Sequence, residues 1–287
     1  MEKYMVFVYG TLRKHQRNHY LLNGVTCIAS QCWTVGKLID SENGYPYLVP
    51  SASGRVYGEL YQVDQLQLKE LDTLEGYYGT NHNNYYVRTK QDIYTDKECY
   101  EAFVYILPNE KVKPNLNEIK NGDWSVNQLL KQKQSLFYFA YGSCMDAERF
   151  KSAGVNHYFQ KVIGRGILDN YHLRFTRRAH DGGRADIVEV AGTVEGKVYE
   201  IPQEALSYLY RREGVNAGCY RPAVIDITVN GRQLTNILTF VVVDKDPETA
   251  PPEHYIVEIL RGGNGFLSAD YMGKIRKQLK ECFNIKI

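Results

Sequence analysis

The chain repeats itself, and this internal repeat constrains the fold more than any other feature of the sequence. Residues 54–63, GRVYGELYQV, match residues 192–201, GTVEGKVYEI, at a constant offset of 138 positions. The same offset relates the apolar and Glu-Gly positions of a following segment, Leu68, Leu71, Glu75 and Gly76 with Leu206, Leu209, Glu213 and Gly214. Upstream, FVYGTL at residues 7–12 corresponds to FAYGSC at residues 139–144. Matches of this length predict a tandem duplication of one domain.

The length of the chain agrees with two domains. At 287 residues it exceeds the roughly 100–200 residues of one domain. The first copy ends in a polar stretch that begins at Pro108, contains a second proline and predicts a short helix near residues 128–131. We therefore predict domains at residues 1–127 and 136–287, joined by a linker at residues 128–135.

Both copies show the same order of predicted elements. A strand leads into a glycine turn, β-rich runs follow, one helix ends at Glu-Gly, and further strands close the copy. Short strands around a single helix predict an α+β fold with a closed or nearly closed sheet. The second copy adds a helix after Gly265, for which Ser268 is the expected N-cap.

Each copy places a glutamate at the end of its helix. Asp64 and Gln67 predict a capping box, and Gly76 predicts the left-handed stop just after Glu75. In the second copy, Pro202 is the expected helix start and Gly214 closes the helix after Glu213. A carboxylate at a helix C-terminus opposes the helix dipole, and burial adds to the cost, so both effects raise its pKa. Recurrence in both copies favours a proton carrier over a surface ion pair.

The Tyr-Gly turn supplies a second candidate feature. Glycine tolerates backbone angles at which successive amide N–H groups point to one spot, and such a cluster binds a carboxylate or an oxyanion. A cationic segment, RFTRRAH at residues 174–180, is either a solvated rim or a grip for a substrate carboxylate.

Composition excludes several other classes. Thirty-five Lys and Arg against 33 Asp and Glu give a net charge of +2, which favours neither nucleic acid nor an acidic membrane as partner. No apolar run approaches the roughly 20 residues of a membrane span, and the N-terminal apolar run is too short for a signal peptide, so we expect a cytoplasmic protein. The six scattered cysteines form no C-x-x-C pair and predict neither a metal site nor a disulfide framework.

Taken together, these motifs resemble one enzyme family. FVYGTLR, the G-x-V-x-G-x-[LV]-Y strand, LDTLEGY and GDW resemble the γ-glutamylamine cyclotransferase-like, or AIG2-like, proteins. The second half, with LFYFAYGSC, REGV, GCYRP, APPEHY and RGGNGFLSADYMGKIRKQL, resembles γ-glutamylcyclotransferase itself. The resemblance implies a small mixed β-barrel with flanking helices in each half, and no metal or organic cofactor.

The resemblance also implies an activity and its residues. The activity is an acyltransferase or lyase reaction, in which a small γ-glutamyl substrate gives 5-oxoproline and a free amine or amino acid. The implied catalytic acid/base groups are Glu75 and Glu213. The implied substrate-binding residues are Tyr9, Gly10, Thr11, Leu12, Tyr138, Phe139, Ala140, Tyr141, Gly142, Ser143, Tyr220 and Tyr255.

One departure and several alternatives stay open in the sequence. The family usually has asparagine where this chain has Cys144, which could change how the loop is anchored or how substrate fits. The alternatives are a non-catalytic protein that binds γ-glutamyl-like molecules, a chain with one active copy, and hydrolysis or amide exchange at the same carbonyl. The sequence specifies neither the leaving group nor the oligomeric state.

Overall fold

The computed structural model describes residues 2–131 and 135–286. The chain divides into two compact units, Met1–Leu129 and Leu130–Ile287. Residues 128–131 of the predicted linker belong to a helix that begins at Trp124, earlier than the predicted short helix. Residues 132–134 of that linker lie outside the described residues.

The first domain is a closed barrel of five strands in the order β1-β5-β2-β6-β7. Two short strands, β3 and β4, pair as a separate hairpin. The elements are β1 Lys3–Val8, β2 Thr26–Val35, β3 Lys37–Asp40, β4 Pro46–Val49, β5 Arg55–Asp64, α1 Gln65–Leu74, β6 Val87–Tyr94, β7 Cys99–Ile106 and α2 Trp124–Lys131.

The second domain is a closed barrel with the corresponding strand order, β8-β12-β9-β13-β14. A hairpin of β10 and β11 and three helices besides α4 are added to it. The elements are β8 Leu136–Ala140, α3 Ala147–Ser152, β9 Val162–Asp169, β10 His172–Ala179, β11 Gly182–Val188, β12 Thr193–Ile201, α4 Ala205–Arg212, β13 Tyr220–Val229, β14 Arg232–Val242, α5 Glu253–Gly263 and α6 Ala269–Phe283. The predicted α+β fold of two small mixed barrels is confirmed.

The last three residues of β1 are buried. Successive side chains of a strand point to opposite faces, and here each face meets a hydrophobic cluster. Phe7 packs in one hydrophobic cluster with Val56 and Trp124. Val6 and Val8 pack in a second cluster. This double burial explains why the FVY segment reads as a continuous apolar run rather than as an alternating one.

The repeated glycine of the G-x-V-x-G motif has the same structural role in both barrels. A Cβ atom on Gly58 would lie 2.3 Å from the carbonyl oxygen of Val8 and 2.7 Å from the ring of Phe7. On Gly196 it would lie 2.4 Å from the carbonyl oxygen of Ala140. No side chain fits at such distances, so the close approach of the first strand requires glycine in each copy.

Helix boundaries agree with the sequence at some ends and differ at others. The Asp64–Gln67 capping box of α1 is present, and Ser268 caps α6 by accepting from the backbone N–H of Tyr271. Helix α4 begins at Ala205 rather than at Pro202, whose carbonyl accepts from the N–H of Ala205 in a preceding turn. Of the helices in the described ranges, none is long and apolar enough to cross a membrane.

Candidate active site

The first Tyr-Gly turn follows directly from strand β1. The hydroxyl of Tyr9 donates to the backbone carbonyl of Tyr105 at 2.8 Å, which fixes the start of the turn to the end of β7. Gly10 is pressed against Pro46, whose ring carbons lie 2.9 Å from the position of a Cβ. The side-chain amide of Asn18 donates to Thr11 Oγ1 at 2.9 Å. These contacts fix the turn to the end of β7, to Pro46 and to Asn18.

A buried ion cluster anchors the residue that follows this turn. Arg13 is 2% exposed and pairs with Glu59 at 3.2 Å and with Asp123 at 2.7 Å. Glu59 also accepts from the backbone N–H of Lys14 and from the hydroxyl of Tyr61. Asp123 accepts from the N–H of Val126 in the first turn of α2. Desolvated charges are stabilised by such pairing, so the cluster fixes the loop to the barrel.

Glu75 lies beside the turn at the C-terminal end of α1. It follows the last helical residue, Leu74, and its N–H still bonds to the carbonyl of Leu71. A pocket of about 190 Å³ is lined by Glu75, Tyr86 and the four predicted loop residues Tyr9, Gly10, Thr11 and Leu12. Burial raises the pKa of Glu75 to about 7, so its carboxyl group can hold or release a proton near neutral pH.

The second domain builds the same arrangement. The hydroxyl of Tyr141 donates to the backbone carbonyl of Phe240 at 2.6 Å, as Tyr9 does to Tyr105. Glu213 follows the last residue of α4, and its N–H bonds to the carbonyl of Leu209. A pocket of about 200 Å³ is lined by Tyr138, Tyr141, Gly142, Ser143, Cys144, Glu213, Tyr220 and Tyr255, together with four arginines.

Glu213 has polar neighbours within its pocket. The thiol of Cys144 donates to Glu213 Oε1 at 3.3 Å, and Arg212 donates to Ser143 Oγ at 3.1 Å. Burial raises the pKa of Glu213, while the charge of Arg212 and the Cys144 hydrogen bond act in the opposite direction. Burial also raises the pKa of the Cys144 thiol well above its usual range, so the thiol stays protonated and can donate.

Two tyrosines of the second pocket form hydrogen bonds with the backbone of one β11 residue, Ala185. The hydroxyl of Tyr220 donates to the carbonyl of Ala185 at 2.7 Å. The N–H of Ala185 donates to the hydroxyl of Tyr255 at 3.1 Å, and burial raises the pKa of Tyr255 to about 12. The hairpin of β10 and β11 therefore holds both rings in the pocket wall.

Most of the predicted site residues line the pocket of their own domain, and two of them line neither pocket. Phe139 and Ala140 lie inside β8, are 0% and 2% exposed, and do not line the pocket. Phe139 instead packs inside the barrel, where its ring fills the space that a side chain at Gly196 would need. In the described ranges, no group of three or more His, Cys, Asp or Glu side chains could hold a metal ion.

Sequence reasoning missed several pocket residues. Tyr86 in the first domain occupies the place that Tyr220 has in the second, at the start of the strand after the Glu-Gly turn. The sequence signal for this equivalence is weak, because Tyr85 follows Gly76 by nine residues (85 − 76) whereas Cys219 follows Gly214 by five (219 − 214). Arg177 belongs to the cationic segment noted in the sequence, and Arg212 directly precedes Glu213.

Comparison with known proteins agrees with the duplicated site. The family model described as gamma-glutamyl cyclotransferase, AIG2-like, matches residues 6–126. The model of the AIG2-like family matches residues 193–275. Each family model therefore covers one of the two helix-end glutamates.

Relatives extend this similarity to nearly the whole chain. The protein named "Putative gamma-glutamylcyclotransferase YkqA" of Bacillus subtilis (strain 168) is 43% identical over 281 residues, which are 96% of this chain and 97% of that protein. The crystal structure of YkqA matches with a TM-score of 0.88 at 41% identity over 98% of both chains. Gamma-L-glutamyl-butirosin B gamma-glutamyl cyclotransferase of Niallia circulans is 40% identical over 74 residues, 26% of this chain and 47% of that protein.

The two barrels, the two Tyr-Gly turns and the two helix-end glutamates thus coincide with matches that span both halves. The chain belongs to the gamma-glutamyl cyclotransferase, AIG2-like family and carries two domains of that family.

Proposed function

We propose that the chain converts γ-glutamyl compounds to 5-oxoproline and a free amine, with Glu75 and Glu213 as the acid/base groups of two separate sites. The observation that carries the proposal is the repeated placement of a partly buried glutamate beside a Tyr-Gly turn in a pocket of about 190–200 Å³. Burial raises the pKa of both carboxyl groups, as a proton carrier near neutral pH requires.

The proposed reaction begins at the substrate's own α-amine. This group is mostly an ammonium at neutral pH, and the ionised glutamate removes one of its protons. The free amine then attacks the γ-carbonyl carbon and forms the ring C–N bond. Because both reacting groups belong to one molecule, a pocket that folds the substrate gains the large advantage of an intramolecular reaction.

The turn and the glutamate complete the reaction. Backbone N–H groups of residues 10–12 and 142–144 are candidates to stabilise the oxyanion. The protonated glutamate gives its proton to the leaving nitrogen, and the original C–N bond breaks. A second proton of the former ammonium passes to the released amine, and the third remains on the nitrogen of 5-oxoproline. No nucleophilic side chain is needed, so Cys144 has no covalent role in this scheme.

The test is release of 5-oxoproline by the full chain from a γ-glutamyl-α-amino acid and from γ-glutamyl-ε-lysine. Four proteins are compared: the natural chain, Glu75→Gln, Glu213→Gln and the double variant. We expect each single variant to lose the activity of one site and the double variant to lose both, by at least about 100-fold. Unchanged turnover in the double variant would contradict the assignment, and binding without turnover in all four would identify a ligand-binding protein instead.

A further inference from the structure

The two pockets differ in charge at equivalent positions. Residue Leu74 precedes Glu75 at the end of α1, and Arg212 precedes Glu213 at the end of α4. Tyr85 donates its backbone N–H to the carbonyl of Gly76, as Cys219 does to that of Gly214. Leu74, Tyr85, Arg212 and Cys219 all line their pockets. The duplication has therefore kept the glutamate and changed the side chains around it.

The first pocket has an aromatic and aliphatic wall. Tyr45, Leu74 and Tyr85 line it, and the hydroxyl of Tyr85 lies 2.9 Å from that of Tyr47. Among the described residues that line this pocket, Arg17 is the one cationic side chain. Arg17 is exposed, and its guanidinium lies 5.7 Å from the ring centre of Tyr45. Such a wall offers little fixed positive charge to an anionic group.

The second pocket is lined by four arginines, and two of them are available to an anion. Arg184 is already paired with Asp181 at 2.6 Å, and Arg211 is exposed. Arg212 and Arg177 are partly buried and form no ion pair with any carboxylate in the described ranges, although the charge of Arg212 acts on Glu213. Arg212 donates to Ser143 Oγ, and Arg177 donates to Cys219 Sγ and to the carbonyl oxygen of Arg178. A half-buried guanidinium that no carboxylate contacts directly favours binding of one from a ligand.

Size does not separate the two pockets, since their volumes are about 190 and 200 Å³. The γ-glutamyl group also does not separate them, because every substrate of the proposed reaction brings the same α-amine and α-carboxylate. The remaining variable is the leaving group. An additional positive charge beside one glutamate and not beside the other can therefore discriminate between leaving groups of different charge.

We propose, on the basis of the proposed function, that the two sites divide γ-glutamyl substrates by leaving-group charge. The second site selects leaving groups that carry a carboxylate, which Arg212 and Arg177 bind. The first site selects leaving groups without a negative charge, which lie against Leu74 and Tyr85. Arg212 and Leu74 are thus specificity-determining residues at matching positions, and one chain serves two classes of γ-glutamyl compound.

The test uses two substrates that differ in one charge, γ-glutamyl-L-alanine and its C-terminal amide. Release of 5-oxoproline is measured with the full-length Glu75→Gln protein, in which only the second site works, and with Glu213→Gln, in which only the first works. The readout is the ratio of kcat/KM for the acid to kcat/KM for the amide. We expect a ratio of about ten or more for the second site and of one or less for the first.

Reciprocal substitutions locate the preference. In the Glu75→Gln protein, Arg212→Leu is expected to lower the ratio about tenfold or more, chiefly through KM, and Arg177→Met to lower it by a smaller factor. In the Glu213→Gln protein, Leu74→Arg is expected to raise it. Arg178→Leu is the control, because it removes the same charge from an exposed neighbour that does not line the pocket.

The outcomes separate this inference from the proposed function. Equal ratios at both sites, with 5-oxoproline released, would overturn the division of substrates and leave the cyclotransferase reaction intact. If neither protein releases 5-oxoproline, the reaction is wrong, and calorimetry with the natural chain and Arg212→Leu then tests the charge preference directly. Tighter binding of the acid that Arg212→Leu abolishes would support the preference; equal binding of acid and amide would overturn it.

Discussion

The Sγ atom of Cys144 donates a hydrogen bond to Oε1 of Glu213 at 3.3 Å. In the first domain the corresponding loop residue is Leu12, whose side chain has no donor. The correspondence follows from the barrel register, in which Val8 pairs with Glu59 and Ala140 pairs with Lys197. The two glutamates therefore have unequal surroundings. Burial raises the pKa of both, but the Cys144 thiol and the charges of Arg212 and Arg149 oppose this effect only at Glu213.

Replacement of Cys144 by alanine should shift the pH dependence of the second site upward. The thiol hydrogen bond lowers the pKa of Glu213 against burial, so its loss leaves a carboxyl group that ionises at higher pH. We expect the acid limb of kcat/KM, measured in the Glu75→Gln protein, to move up by about 0.5–1 pH unit. Cys144→Ser keeps a donor and should move the limb less. A downward shift, or equal shifts in both variants, would contradict this role of the thiol.

The first site should lose activity as the pH falls through about 7. Burial raises the pKa of Glu75 to about 7, so the carboxylate form that accepts the substrate proton predominates above this pH and is depleted below it. In the Glu213→Gln protein, kcat/KM should fall about tenfold per pH unit on the acid side. Activity that persists undiminished at pH 5 would show that Glu75 ionises at its ordinary pKa or is not the base.

The hydroxyl groups of Tyr9 and Tyr141 should contribute more to stability than to turnover. Each donates to a backbone carbonyl, at 2.8 Å and 2.6 Å, and each is 7% exposed. Phenylalanine at either position should cost about 1 kcal/mol of unfolding free energy and slow turnover less than about tenfold, because the ring and the turn are retained. If turnover instead slowed by about 100-fold or more while stability was unchanged, the hydroxyl would have a direct catalytic role.

Sequence reasoning predicted the duplication and the positions of the two glutamates because each rests on a local and repeated constraint. Gly58 and Gly196 recur because the neighbouring strand leaves no room for a Cβ, and Glu75 and Glu213 recur beside a glycine that ends a helix. The strand order of the barrel depends on long-range pairing. The pattern of short strands predicted only a closed or nearly closed sheet, and the family resemblance implied the barrel.

The side chains that distinguish the two pockets could not be predicted in the same way. Arg177 reaches the second pocket from the β10–β11 hairpin, and Arg212 reaches it from the last turn of α4. Their meeting depends on tertiary packing, which the spacing of residues along the chain does not specify. Phe139 is a different case, because the family resemblance implied it as a substrate-binding residue, whereas its ring packs against Gly196 in the barrel and does not line the pocket.

Gly122 should be the most sensitive position of the GDW segment. It has φ +65°, and a Cβ there would lie 1.9 Å from the carbonyl oxygen of Arg55, so alanine must displace the backbone. The carbonyl of Gly122 also accepts from the N–H of Tyr57 at 2.8 Å. We expect Gly122→Ala to destabilise the first domain by more than about 3 kcal/mol, as an overpacked and strained backbone position does.

A matched glycine isolates the steric part of this effect. Gly24 has φ +76°, but no atom lies within 4 Å of the position of a Cβ, so Gly24→Ala should cost only the roughly 1–2 kcal/mol of a left-handed alanine. Hydrogen exchange in the full-length protein measures both variants, since the amides of residues 2–129 report on the first domain alone. Because Asp123 follows Gly122 and pairs with Arg13, which follows the turn, Gly122→Ala should also lower kcat/KM at the first site while the second is unaffected. Equal destabilisation by the two substitutions would show that backbone conformation, and not the contact with Arg55, makes glycine necessary here.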